Sequence, residues 1–161
     1  MELTLSKKGD YAVRAAIALA RAWGSGAMCK VREVSEQMNL PPLYTAQILH
    51  LLSDAGLAEA RAGKRGGYML LRDPAAISLL EVVEAAEGVL RAKRCTLRGG
   101  PCQWEQMCPL HPAWERATMA FRESLRQASL AEVAAVDVAL EEGTAEILPT
   151  SHRLHPKADM V

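Results

Sequence analysis

Cys95, Cys102, Cys108 and His111 fall within seventeen residues of one another, spaced C-x6-C-x5-C-x2-H. Thiolates combined with an imidazole are the donor set of iron–sulfur clusters and of zinc. The stretch Arg94-Cys95-Thr96-Leu97-Arg98-Gly99-Gly100-Pro101-Cys102 is too polar and glycine-rich to be a packed core. Arg91, Lys93, Arg94 and Arg98 crowd it, and positive charge both lowers thiol pKa values and offsets a thiolate-rich centre. Three chemistries are open on residue types alone: an iron–sulfur cluster, a closed Cys3His zinc site, and a metal-free thiol switch. Cys29 stands alone at the start of a helix and reads as a small half-buried residue. His152 and His155 read as incidental.

A binding loop of this kind needs a scaffold, and 161 residues suffice for one or two small domains with a true core. Half the residues are apolar, yet no stretch approaches the roughly 18 consecutive apolar residues of a membrane span. The start, Met1-Glu2-Leu3-Thr4-Leu5, has neither a basic segment nor a long apolar one, so a cytoplasmic protein is expected. In that compartment clustered cysteines bind metal more often than they form disulfides. Net charge is zero, with a basic bias in the first half: residues 1–75 carry ten Lys/Arg against seven Asp/Glu, and residues 76–161 nine against twelve. No glycine loop follows a strand to cradle a nucleotide, and no paired carboxylates or nucleophile–base set stands out, which argues against an enzyme.

Helical spacing of Val13, Ala16, Ile17 and Ala20 predicts a first helix from Ser6 to about Trp23. A short second helix follows over 30–38, and Asn39-Leu40-Pro41-Pro42 breaks it. The third helix runs to Ala55, with Tyr44, Ile48, Leu51, Leu52 and Ala55 as its expected buried stripe. Leu57 to Ala60 and Tyr68 to Leu71 flank Arg61-Ala62-Gly63-Lys64-Arg65-Gly66-Gly67, a hairpin with a basic glycine tip. Ser78-Leu79-Leu80-Glu81 and Ser129-Leu130-Ala131-Glu132 are capping boxes that open two further helices. Pro112 suits the first turn of a long helix carrying Trp114, Ala117, Phe121, Leu125 and Ala128.

Two short helices, a tight break and a glycine-tipped hairpin make a winged helix-turn-helix pattern. The fold class expected is therefore mainly α: a winged helix-turn-helix domain with a β-hairpin wing, plus a long dimerisation helix. With the stripe buried, Thr45, Ala46, Gln47 and His50 face outward on the reading helix. Gln bonds adenine edges bidentately and an Ala methyl meets a thymine methyl. Arg61, Lys64 and Arg65 at the hairpin tip suit phosphates or a neighbouring minor groove.

Four segments taken in order carry a family resemblance: Thr4-Leu5-Ser6-Lys7-Lys8-Gly9-Asp10-Tyr11-Ala12-Val13-Arg14, the wing Gly63-Lys64-Arg65-Gly66-Gly67-Tyr68, the stretch Ile77 to Gly88, and the three-cysteine loop. Together they resemble the IscR/NsrR (Rrf-type) family of bacterial winged-helix repressors from about residue 1 to 142. The resemblance implies a homodimer on a pseudo-palindromic double-stranded DNA operator. It also implies an iron–sulfur cluster, [2Fe-2S] or [4Fe-4S], that controls operator affinity or sequence choice, with Cys95, Cys102 and Cys108 as ligands. The fourth ligand is His111, as in IscR-like members, or Asp10 supplied by the other subunit, as in NsrR-like ones; His111 is preferred as the local and softer donor. Cluster supply, nitric oxide, and redox or iron status are the signals such a centre reports.

Three features depart from the family pattern, the first being the six-residue gap between Cys95 and Cys102, slightly long for IscR. Ala46 precedes Gln47 where IscR has a discriminating glutamate, and Ala62 takes the place of the wing arginine. Operator sequence is thus not carried across. The expected organisation is a DNA-binding region over 1–88, a cluster loop over 89–111, dimerisation helices over 112–142 and a loose tail over 143–161. The rival reading is a winged-helix regulator or protein-binding adaptor with a structural Cys3His zinc site.

Overall fold

The computed structural model of the protein describes residues 5–89 and 108–146. Among these described residues six α-helices and one hairpin follow in order: α1 (Lys7–Ala22), α2 (Val31–Met38), α3 (Pro42–Asp54), β1 (Ala58–Arg61), β2 (Gly67–Leu70), α4 (Leu79–Glu87), α5 (His111–Gln127) and α6 (Leu130–Glu141). The winged helix-turn-helix expected from the sequence is present, and among the described residues no helix is long and apolar enough to cross a membrane.

α1 is the hub. Ala12, Ala15, Ala16, Ala18 and Ala20 are all buried, and their small side chains let α2, α3, α4, α6 and β2 pack against one helix. Leu19, Val34, Leu49, Leu52, Ile77, Val82 and Leu130 fill the spaces between them. The ends of the elements are set by local chemistry. Ser6 caps α1 by accepting from the Gly9 N–H at 3.3 Å, and Glu33 reaches back to the Lys30 N–H at 2.8 Å at the start of α2. Asn39 leaves α2 with φ of 51°, the left-handed turn that lets α3 begin at Pro42.

The hairpin pairs Ala58 with Leu70 and Arg61 with Gly67, one residue later in its first strand than the hydrophobic run suggested. Cys29 adds a third short rung, exchanging backbone N–H···O bonds of 2.8 Å with Tyr68 in both directions. The backbones approach so closely that a Cβ on Gly67 would strike the Cys29 carbonyl. Glycine there is a packing requirement, and it ties the wing to the segment between α1 and α2.

α4 and α6 start side by side. The Leu79 N–H donates to Ala128 and the Leu130 N–H to Ile77, each at 2.8 Å. Both capping boxes are formed: Glu81 accepts from the Ser78 N–H at 2.8 Å and Glu132 from the Ser129 N–H at 2.9 Å. α6 then runs back along α1, where Arg21 pairs with Asp137 at 3.0 Å and Glu141 at 2.6 Å. α6 thus belongs to the core of the DNA-binding half, although the sequence grouped residues 112–142 together. α5 differs in having no buried residue at all.

Candidate nucleic-acid interface and cysteine site

α3 follows α2 after a three-residue break, and its first turn projects from the molecule. Leu43 is 82% exposed and Tyr44 57% exposed; Gln47 and His50 are exposed and Ala46 is half-buried. The expectation for Thr45 is corrected: it is fully buried, and its hydroxyl donates to the Pro41 carbonyl at 3.0 Å. That internal bond satisfies the polar atom and makes burial cheap. The buried face is Thr45, Ile48, Leu49 and Leu52, rotated by about one residue from the stripe that Tyr44 suggested. Tyr44 instead turns outward and meets Tyr11 edge-on, with ring centroids 6.1 Å apart.

The exposed face therefore comprises Leu43, Tyr44, Gln47 and His50, with Ala46 at its edge. Sequence reasoning missed Leu43 altogether and placed Tyr44 in the core. The i, i+3, i+4, i+7 set beginning at Thr45 was the signal available, hidden by Thr being polar and Tyr large. His50 lies 3.6 Å from Asp54 along the same helix. At the wing, Arg61 is paired with Glu59 at 2.6 Å, whereas Lys64 and Arg65 are exposed at the tip with no partner among the described residues.

Of the cysteine site, Cys108 and His111 are described, and Cys95 and Cys102 lie outside the described residues. Cys108 is half-buried and free, and the Cys108 carbonyl accepts from the His111 N–H at 3.0 Å. One turn thus carries both candidate donors at the head of α5, with the His111 ring exposed and, among the described residues, without a hydrogen-bond partner. Among the described residues, no three His, Cys, Asp or Glu side chains converge. Asp10, the alternative donor, is engaged by Arg14 at 3.0 Å. Burial, with Glu33 adding repulsion, pushes the Cys29 thiol up and keeps it protonated, in line with a packing role.

An exposed reading helix and a basic wing, both packed on α1, define a winged helix-turn-helix DNA-binding protein. The chain belongs to the Rrf2 family, whose pattern, described as an iron-dependent transcriptional regulator, matches residues 5–136. It is a helix-turn-helix transcriptional regulator, and its family is not one of enzymes. It is similar to the transcriptional regulator IscR of Cronobacter sakazakii, 30% identical over 156 residues, which cover 97% of this chain and 90% of that one. Among solved structures it resembles CymR (YrzC), described as the global cysteine regulator of B. subtilis. That match has a TM-score of 0.72 at 25% identity, covering 84% of this chain and 98% of the other. T. potens IscR gives 0.70 at 27% identity, over 91% and 95%.

Proposed function

We propose that this protein is a cytoplasmic, homodimeric repressor whose binding to a double-stranded operator is set by an iron–sulfur cluster on Cys95, Cys102, Cys108 and His111. The observation that carries the reading is the Cys108–His111 turn, which offers a free thiol and an exposed imidazole together. These donors suit the group chemically, being soft sulfur and borderline nitrogen. One neighbour is named a cysteine regulator and another IscR at nearly the same likeness. The fold therefore does not choose between the two, and the three-cysteine loop is what supports a bound cluster.

Bound there, a cluster supplies a centre responsive to oxidation, nitric oxide and cluster supply. The chain's own residues supply the rest. His111 opens α5, so a ligand that orders the 108–111 turn also fixes the start of that helix. Leu110, at the cap of α5, and Phe121 are 53% and 40% exposed and fall on one side of that helix, apolar positions suited to a two-fold mate. Arg122 joins α5 to Glu84 of α4, and α4 packs on α1 and α3. A change at the turn thereby reaches the spacing of two reading helices. A coupling of about 1–3 kcal/mol, a 5–150-fold change in affinity, is sufficient.

Replacing Cys102 by Ala tests this. Iron binding and the cluster-dependent change in operator affinity are lost together, while helical content and dimer mass stay those of the parent. Retention of iron-dependent operator binding by that variant overturns the assignment.

A further inference from the structure

The first turn of α1 carries two lysines for which the fold has no use. Lys7 and Lys8 are exposed, and neither has a carboxylate partner among the described residues. Asp10 is held by Arg14 at 3.0 Å, and Glu87 Oε1 is occupied by Ser6 at 2.6 Å. Cations are disfavoured at a helix N-terminus, where the dipole is already positive. Stability of α1 therefore does not explain them.

Their position does. Lys7 and Lys8 precede Tyr11 by four and three residues and so share its face of the helix. Tyr11 in turn meets Tyr44 on the first turn of α3, beside exposed Leu43 and Gln47. One helical turn, about 5.4 Å, separates the lysines from that contact. The wing is attached elsewhere, through the Cys29–Tyr68 pairing to the segment that follows α1. Exposed basic groups thus occur on two separate elements of the DNA-binding half: Lys64 and Arg65 on the wing, and Lys7 and Lys8 at the start of α1.

We propose that Lys7 and Lys8 grip the DNA phosphate backbone beside the first turn of α3, a contact separate from that of the wing. The inference rests on the DNA-binding reading above and extends its contact surface to α1. Ammonium groups on flexible stems act as point charges toward phosphate and carry no base preference.

The test is binding to a mixed-sequence duplex, followed by fluorescence anisotropy between about 50 and 200 mM salt, where phosphate contacts dominate. The double variant Lys7→Gln/Lys8→Gln is expected to bind roughly tenfold more weakly at the low end. Its slope of log K against log salt should be shallower by about 1–2, near 0.9 per phosphate lost. Lys7→Arg/Lys8→Arg should restore both. Removing cations from a helix N-terminus does not weaken the helix, so the melting temperature of the glutamine variant stays equal or rises, and a lost contact is not mistaken for unfolding. An unchanged slope and affinity in the folded glutamine variant overturns the inference and leaves the DNA-binding reading intact. Absence of any salt-dependent binding by the parent protein overturns both.

Discussion

Glu87 closes on Ser6: one carboxylate oxygen accepts from both the Ser6 N–H at 2.9 Å and the Ser6 hydroxyl at 2.6 Å. The last residue of α4 thereby holds the cap of α1, across 81 positions of sequence. Gly9 makes the approach possible, because a Cβ at that position would overlap the Glu87 carboxylate. The negative charge also lies where the dipole of α1 favours it. The two elements that flank the cysteine segment and the reading helix are thus fastened to each other through a serine, a glycine and a glutamate.

That arrangement predicts a change of sign. Glu87→Ala loses charge-assisted bonds to a cap and costs about 1 kcal/mol, the lower end being expected because the pair is exposed. Gly9→Ala alone is destabilising, since the carboxylate must move. In the Glu87→Ala background the same Gly9→Ala stabilises by about 0.5–1 kcal/mol, as alanine ordinarily does in a helix. Denaturant unfolding of the four proteins checks the cycle; equal effects of Gly9→Ala in both backgrounds contradict it.

On α3, buried and exposed neighbours should separate cleanly. Thr45→Val keeps the volume, loses the bond to Pro41 and costs about 1 kcal/mol in stability, with base preference unaltered. Gln47→Ala relaxes preference at one base position by about 1–3 kcal/mol with stability unaltered. Arg65→Ala weakens binding to every sequence alike. Competition binding against single-base operator variants reads all three, and a base-specific effect of Thr45→Val contradicts the placement described here.

Acid sensitivity follows from the capping boxes. At Glu81, burial raises the pKa, but bonds from Ser78 and Arg72 outweigh it and hold the carboxylate below its usual range. Glu132 is lowered by bonds from Ser129. A carboxylate depressed in the folded state contributes stability above its unfolded pKa and loses it as pH falls through the folded one. Stability should therefore decline below roughly pH 4. Glu81→Gln should flatten that decline and cost up to about 1 kcal/mol at neutral pH; an acid limb identical to that of the parent contradicts the assignment.

The fourth ligand is decided by comparison. Among the described residues the His111 ring has no partner beside Cys108, whereas Asp10 is occupied by Arg14. His111→Ala should shift the visible absorption and electron paramagnetic resonance of the bound centre, and Asp10→Ala should leave both as in the parent. The reverse pattern assigns the site to an aspartate shared across the dimer.

Much of the architecture could be read from the chain because local signals agreed with one another. Ser78 with Glu81 and Ser129 with Glu132 mark helix starts that the structure forms, and the glycines at 63, 66 and 67 mark the wing. The rotation of α3 was not legible, since it depends on the tertiary fit of Thr45 and on a private bond to Pro41. The return of α6 onto α1 was equally hidden: the pairing of Arg21 with Asp137 spans 116 positions, and no local pattern announces it. At the site, Gln47 and the wing tip were legible as surface residues, while the exposure of Leu43 and Tyr44 needed the packed helix. Spacing alone pointed to the cysteine set, whose members Cys95 and Cys102 lie outside the described residues.

Iron and acid-labile sulfide content, taken with the visible spectrum of protein purified without oxygen, bears most directly on the central claim. Brown protein with stoichiometric iron and sulfide, both lost in Cys102→Ala, is the result predicted. Colourless protein carrying one zinc per chain and no sulfide would contradict it, leaving a DNA-binding regulator whose cysteine loop is a structural zinc site.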